Sequence, residues 1–407
     1  MRIPFNKPSI LGNELQYIQD AIHRGHISGN GYYTRQSNFE LEKIHGANSK
    51  SLLTHSCTGA LEMAGILLNL KPGDEVILPS HTFVSTANSI TMHGGIPVFV
   101  DCRPDTLNID EEKIEAAVTS KTKACYVVHY AGIPCNMKKI MRIAAKHNFF
   151  VIEDNAQGLG SVIDDQIAGT FGSLSCLSFH ETKNICSGEG GALIINDLSL
   201  VERAEVILEK GTNRSRFFRG EVDKYTWVDK GSSYVMSDLL AAFLLGQLEK
   251  WSDVCSERMK IWNTYYEAFA DLDQRNLIRR PFVPKNVRHN GHMFYLLLPD
   301  IERKSKFISD MRALGIGVVS HYVPLHSAPG ALCYARASGS LEVTNKISES
   351  LVRLPLWIGL EPFQKEIITI FRSWLIANCP GDSNKFLLNC KTSPSTYATT
   401  QFLDVEN

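Results

Sequence analysis

The sequence predicts an α/β protein: a large, mostly parallel sheet domain followed by a smaller C-terminal α/β domain. Three observations predict it. From residue 51 to about 197, short apolar runs alternate with helical stretches, separated by Gly or Pro. The apolar runs are continuous, as expected of strands covered on both faces. The chain has 407 residues, more than a single hydrophobic core usually serves, so a second unit is expected.

Taken in order, an extended start leads to a helical pattern from Gly12 to Arg24. Gly25, Gly29 and Gly31 break it into a loop, and a second helix runs from Thr34 to Ile44. Strands are expected at Ser51–Thr54, Glu75–Leu78, Pro97–Val100, Ala124–His129 and Phe149–Ile152. Helices at Ala60–Leu70, Thr86–Met92 and Asn136–Lys146 fall between them. Two further strands, Leu174–Phe179 and Gly191–Ile195, flank a loop that holds Lys183. Helices then dominate at Leu200–Lys210, Ser237–Glu249 and Trp251–Phe269, with a basic, aromatic loop from Gly211 to Trp227. Beyond Asn276 the pattern gives strands at His292–Leu298 and Val318–Val323, and helices at Lys304–Leu314, Thr344–Leu351 and Pro362–Ala377. The expected units are therefore 1–249, 250–378 and a disordered tail, 379–407, rich in Ser, Thr, Asn and Pro.

Composition excludes several classes. Forty-two basic residues balance 43 acidic ones, which argues against nucleic acid as the main partner. No apolar run of about 18 residues suggests a membrane span. The first residues lack the apolar core of a signal peptide, so a cytoplasmic protein is expected. Ten cysteines are scattered without a C-x-x-C pair, as reduced, packed thiols are. Neither the cysteines nor the pairs His289/His292 and His321/His326 have the spacing of metal ligands, so no metal is expected.

Three stretches carry candidate chemistry. The run Phe150-Val151-Ile152-Glu153-Asp154-Asn155-Ala156-Gln157 ends an apolar strand in two acids. Ligands of open α/β sheets bind beyond the carboxyl ends of strands, so Asp154 is placed to meet one; an ordinary helix cap is the plainer reading. A Walker-type acid is excluded because no G-x-x-x-x-G-K-[ST] loop exists. Gly158-Leu159-Gly160 does not complete a dinucleotide fingerprint, since Ile163 stands where the third glycine belongs. Lys183 follows an apolar strand and precedes Ser187-Gly188-Glu189-Gly190-Gly191. Most lysines are solvated surface residues, but one in a strand-end loop facing a pocket can have its pKa lowered enough to attack as a neutral amine. Ser56-Cys57-Thr58-Gly59-Ala60 opens a helix whose free N–H groups would favour an anion, with Thr58 adding a hydroxyl; an N-cap by Ser56 or Thr58 is the bland alternative. Phe83 can stack on a flat ring or fill the core. Ser178 can reach the same anion as Thr58 or pair locally.

This ordered set resembles the DegT/DnrJ/EryC1/StrS family of sugar-nucleotide aminotransferases. The resemblance rests on Ser56-Cys57-Thr58, Phe83, Glu153-Asp154-x-Ala156-Gln157, Ser178-Phe179-His180-x-x-Lys183 and Gly188-Glu189-Gly190-Gly191, and spans Ile3 to about Ala377. It implies the fold of type I pyridoxal-phosphate (PLP) transferases and PLP as cofactor. By position it implies that Lys183 binds the coenzyme covalently and moves the substrate proton, and that Asp154 pairs with the pyridine nitrogen. Gln157 would contact the ring-hydroxyl side, Phe83 would cover a ring face, and Thr58, Gly59 and Ser178 would bind phosphate. Relatives complete that phosphate site with an Asn of the second subunit in a Gly-x-Asn-Tyr stretch. Here the stretch reads Gly231-Ser232-Ser233-Tyr234, so Ser233 would serve. Arg219, among the basic residues of the 211–227 loop, is the expected contact for the diphosphate, and Tyr322 and His326 those for the sugar.

The segments Ile3–Pro8, His180–Asn184, Lys210–Arg214 and His321–His326 are similar to members that aminate dTDP-4-dehydro-6-deoxyglucose with L-glutamate for surface polysaccharides. The expectation is a homodimer with shared active sites giving a 4-amino sugar of galacto configuration. The gluco epimer, or a PLP-binding regulator without turnover, would share the same sequence features.

Overall fold

The computed structural model describes residues 2–46 and 48–379. The expected tail lies, from residue 380 on, outside the described residues.

The strands that build the large sheet come first in the chain: β1 (Lys50–Thr54), β2 (Glu75–Pro79), β3 (Ile96–Val100), β4 (Thr122–Val128) and β5 (Phe150–Asp154). The short β6 (Val162–Ile163) and β7 (Gln166–Ile167) interrupt, and β8 (Leu174–Ser178) and β9 (Gly191–Ile195) follow. The later strands are β10 (Val287–Arg288), β11 (Phe294–Leu297), β12 (Val319–Ser320), β13 (Arg336–Ala337) and β14 (Leu351–Leu354). The eight-stranded sheet has the order β1-β9-β8-β5-β4-β2-β3-β13. All its pairings are parallel except the two made by β9, with β1 and with β8. The α/β fold with a mostly parallel sheet is thus as expected.

Both faces of this sheet are covered, which explains the unbroken apolar runs. Val76 and Leu78 of β2 pack with Ala60, Leu61 and Ala64 of helix Cys57–Leu67. Ile77, between them, faces the other way toward Ile114 of helix Glu111–Ala117 and Ile140 of helix Met137–His147. Farther along the sheet, Ala192 and Ile194 of β9 meet Leu41, Leu244 and Leu248 of helices Tyr32–His45 and Asp238–Leu248.

A second core surrounds the antiparallel sheet β11-β14-β12. Trp262 and Tyr265 of helix Trp251–Ala268, Phe269 just past its end, Phe307 of helix Ile301–Ala313 and Phe371 of helix Glu361–Asn378 close over Phe294, Val352 and Leu354. The two regions exchange segments. Ile3 joins the second core and bridges in parallel to Ile316. In the other direction β13 adds to β3 of the large sheet, where the Arg336 guanidinium donates twice to Glu75, at 2.8 and 2.7 Å.

Several elements differ from expectation. Helix Glu111–Ala117 was not foreseen; Asp110 caps it through the Glu112 N–H, with two glutamates in its first turn. Arg214–Phe218 is a short helix inside the basic loop. The strand expected at Val318–Val323 shrinks to Val319–Ser320, and the helix expected to end at Leu351 stops at Ser350, where β14 begins.

Candidate active site

The carboxyl ends of β4, β5 and β8 open onto a cavity of about 660 Å³. Thr58, Phe83, Asp154, Gln157, Ser178, Lys183 and Tyr322, each expected from the sequence, line it together.

Lys183 reaches it because β8 and β9 form a hairpin whose loop is tied down locally. Phe179 N–H donates to Gly190 O at 2.8 Å, Glu181 N–H to Gly188 O at 2.9 Å, and Lys183 N–H to His180 O at 2.9 Å. Gly188, at φ 83°, takes a left-handed turn that side chains disfavour. Gly191 serves close approach: a Cβ there would lie 2.4 Å from the Cys57 nitrogen, so only glycine lets β9 meet the start of helix Cys57–Leu67. Burial lowers the pKa of the Lys183 amine below the ordinary lysine value. Among the described residues no group hydrogen-bonds that amine.

Asp154 ends β5. Its Oδ2 accepts from Thr86 Oγ1 at 2.8 Å and its Oδ1 from the Ala156 N–H at 3.3 Å. Burial raises its pKa, against the pull of these two donors and of the Lys183 charge. Its neighbour Glu153 points to the opposite side of the strand and is buried. There it accepts from Gly169, Phe171 and Gly172 N–H groups and from His129 Nε2, at 2.7 to 2.8 Å. Burial acts to raise the Glu153 pKa, but these donors outweigh it and hold the carboxyl below its ordinary value. Glu153 is therefore internally satisfied, and Asp154 is the acid that faces the cavity.

At the helix start, Ser56 is the N-cap and accepts from the Gly59 N–H at 3.0 Å. The helix begins at Cys57, three residues earlier than expected, so Thr58 lies in its first turn and its hydroxyl meets Ser85 Oγ at 2.8 Å. Phe83 exposes 57% of its surface at the cavity wall. Gln157 bridges two regions: its Oε1 accepts from Ala131 N–H at 2.7 Å and its Nε2 donates to Tyr322 OH at 3.0 Å.

Three expected residues are not brought to this cavity, and a fourth, Ser233, is the one expected to act from a second subunit. The Gly59 N–H is taken by Ser56. Ser233 is exposed, bridging to Glu209 through its backbone. Arg219 lies on the surface, paired with Glu205 at 2.8 Å and Glu221 at 2.6 Å. His326 meets Ser80 Oγ at 2.8 Å, outside the lining.

Sequence reasoning missed other lining residues: Phe5, Asn6, Ser85, Arg258, His292, His321 and Arg353. Arg258 is buried, donates to Gly291 O and His292 O, and has its pKa pulled down to about 10 by burial. Burial holds His292 and His321 well below the ordinary histidine value. Thr86, which holds Asp154, was also missed.

An unpaired, half-buried amine and a buried carboxylate with acceptor capacity to spare share this cavity with a helix start and an exposed aromatic ring. That donor set suits a flat, phosphorylated aromatic aldehyde whose ring nitrogen carries a proton. Comparison with known proteins gives the same class. The structure superposes on a sugar aminotransferase of Streptococcus pneumoniae in its PLP form with a TM-score of 0.84, at 25% identity over 93% of this chain and 99% of that one. The aminotransferase TlmJ of Streptoalloteichus hindustanus gives 0.84 at 26% identity, covering 92% and 99%. Among curated proteins, the spore coat polysaccharide biosynthesis protein SpsC of Bacillus subtilis is 34% identical over 80% of this chain and 85% of its own. The GDP-perosamine synthase of Caulobacter vibrioides is 31% identical over 88% and 94%. The fold is that of a PLP-dependent aminotransferase. Residues 8–372 match the DegT/DnrJ/EryC1/StrS aminotransferase model, and the chain belongs to that family of sugar aminotransferases.

Proposed function

We propose that this chain acts as a cytoplasmic homodimer that transfers the amino group of L-glutamate to dTDP-4-dehydro-6-deoxy-D-glucose. The products are 2-oxoglutarate and dTDP-4-amino-4,6-dideoxy-D-galactose, a precursor for surface polysaccharides. The observation that carries the transaminase reading is the half-buried, unpaired Lys183 amine in one cavity with the buried Asp154 carboxylate. The choice of sugar rests on the segment resemblances Ile3–Pro8 and His321–His326. A GDP-linked keto sugar is the second reading, favoured by the likeness to GDP-perosamine synthase.

PLP, when bound, supplies the electron sink that makes the substrate C–H acidic. The rest falls to the protein. Lys183 holds the coenzyme and carries the proton to and from the reacting carbon. Burial lowers its pKa from the ordinary lysine value, which favours the neutral amine that attack requires. Asp154, aimed by Thr86 and the Ala156 N–H, stays ionised against a cationic ring nitrogen, which relieves the cost of its burial. Thr58 and Ser178 would hold the phosphate, Phe83 would cover the ring, and Gln157 would meet its hydroxyl side. Ser233 acts on the partner's site.

The test is sequential. Glutamate should bleach the visible coenzyme band of the purified protein and the dTDP keto sugar should restore it, with the C4 coupling constants of the product giving its configuration. Lys183→Ala should lose the lysine-bound band and about 100-fold or more of the turnover. An unchanged band in that variant sinks the assignment, and restoration by GDP-linked sugars alone selects the second reading.

A further inference from the structure

His292 lies just before β11 and lines the cavity that holds Lys183 and Asp154. Its surroundings fix it from several sides. The Arg258 guanidinium donates to His292 O at 2.7 Å, and the His292 N–H donates to Asn290 Oδ1 at 3.1 Å. Asn290 donates in turn to Gln157 O and Leu159 O, at 2.9 and 3.0 Å, in the segment after β5. The His292 ring meets Asn184, the residue after Lys183: Nδ1 and Asn184 Oδ1 are 2.9 Å apart, and Asn184, Asn290 and His292 are all buried. The rest of the network decides where the ring proton sits. Asn184 Nδ2 donates to Asn290 O at 2.8 Å, and a carbonyl only accepts. Turning the amide over would set its oxygen against that carbonyl, so Oδ1 faces the ring. An amide oxygen also only accepts, which places the ring proton on Nδ1. Burial, and then the charges of Lys183, Arg258 and Arg353, oppose a second proton. Nε2 is left as a bare lone pair, and among the described residues nothing hydrogen-bonds it. The cavity thus holds an acceptor whose tautomer is set by the residue beside its lysine.

We propose that His292 accepts a hydrogen bond from the sugar hydroxyl on the carbon next to the reacting carbonyl, and that Asn184 is the positioning residue that keeps Nε2 bare for it. The inference deepens the transaminase reading above and rests on it. The two substrates differ in what they offer a lone pair. Apart from its reacting amine, glutamate carries only carboxylates, which accept and would repel Nε2. A sugar brings hydroxyls, each with a proton to donate. Lys183 is near enough for its charge to weigh on the ring, so the hydroxyl within reach is one close to the carbon that receives the amine. A substrate without that donor leaves Nε2 desolvated and unmet, which is how a buried polar group discriminates.

The experiment uses the coenzyme-loaded protein, as wild type and as His292→Phe, His292→Gln and Asn184→Leu, with the coenzyme spectrum following each half-reaction separately. The keto sugar is offered linked to dTDP and to GDP, and again without the hydroxyl beside its carbonyl. Long-range proton–nitrogen spectra of histidine-labelled protein, with the His292 signal assigned by its loss in His292→Gln, should show a proton on Nδ1 and none on Nε2. Asn184→Leu should let that proton move to Nε2. His292→Phe should keep the coenzyme band and leave the glutamate half-reaction unchanged. It should raise the keto-sugar KM about five- to a hundredfold, the cost of a buried hydroxyl without its acceptor. His292→Gln, whose amide oxygen can stand in for Nε2, should recover part of that loss. Removing the hydroxyl should cost the wild type as much and cost His292→Phe nothing more. A proton on Nε2 in the wild type, equal losses or none in the two half-reactions, a loss confined to glutamate, a changed coenzyme band, or full additivity of the two deletions would each overturn the proposal. Should His292→Phe not fold, Asn184→Leu takes its place, with the same split between half-reactions expected. A wild-type protein that turns over neither substrate removes the transaminase reading. Equilibrium dialysis of the keto sugar then decides separately: binding that His292→Phe weakens and His292→Gln restores supports the site, and no binding, or binding that neither variant alters, overturns it.

Discussion

Asp154 and Lys183 are each disturbed by burial, in opposite directions. The folded Lys183 pKa lies below the free value of 10.5. Between those two values the unfolded chain binds a proton that the folded chain does not, so this group's contribution to stability rises with pH across that window. Capture of coenzyme by the apoprotein needs the neutral amine. Its rate, followed by stopped-flow absorbance, should climb with pH and level off below 10.5; a profile still rising there contradicts a buried amine. Asp154→Asn should keep the fold and lower kcat by about 100- to 1,000-fold, as loss of a placed charge does. Thr86→Val removes the donor to Asp154 Oδ2 and leaves Thr82 Oγ1, 2.9 Å from Thr86 Oγ1, without its partner. Urea unfolding should show a loss of about 1–3 kcal/mol.

Elements explain which of these residues could be read in advance. Asp154 ends an apolar strand and Lys183 lies in the loop that follows another, where sheet topology brings side chains to a ligand-binding edge. Chain order alone exposed them. Thr86 and Ser85 lie in a helix, Val84–Thr91, whose small polar residues look like any solvated turn until β2 and β5 bring Asp154 alongside. Arg353 was hidden because Thr344–Leu351 continues a helical rhythm into a strand of four residues. The signal was present: a lone charge inside Leu351-Val352-Arg353-Leu354-Pro355-Leu356. Asp101 shows an element held by a remote residue. It follows β3 and accepts from Val343 N–H, Thr344 N–H and Thr344 Oγ1, at the start of helix Glu342–Ser350. Burial pushes its pKa up, but these donors and Lys113 outweigh it and leave it below 3.8. The stability it gives is present above that value and is lost as pH falls through the depressed folded one. Asp101→Asn should cost about 0.5–2 kcal/mol at neutral pH by the measure of other helix caps, and flatten the acid limb of the stability curve.

At the scale of the whole molecule, the two cores and the cavity between them depend on segments far apart in sequence. Ile3 is 2% exposed and belongs to the core built mainly from residues after 260. Ile3→Ala should cost about 2–5 kcal/mol in thermal or urea unfolding, as a core truncation does. The same segment carries Phe5 against Arg353 and Asn6, whose Nδ2 donates to Glu181 O at 3.0 Å beside the Lys183 loop. The large sheet was legible because its strands follow one another with short breaks. The exchange of segments was not, because a two-residue strand such as β13 and a single bridge such as Ile3 with Ile316 leave no periodicity to detect.

That bridge has a consequence for biosynthesis. Ile3 is made long before its resting place, which does not exist until residue 316 has been translated, and the guanidinium that Phe5 backs comes later still. The segment holding Ile3 and Phe5 must wait, unpaired, until those partners are made, so the wall of the cavity closes only after Arg353 has been synthesised.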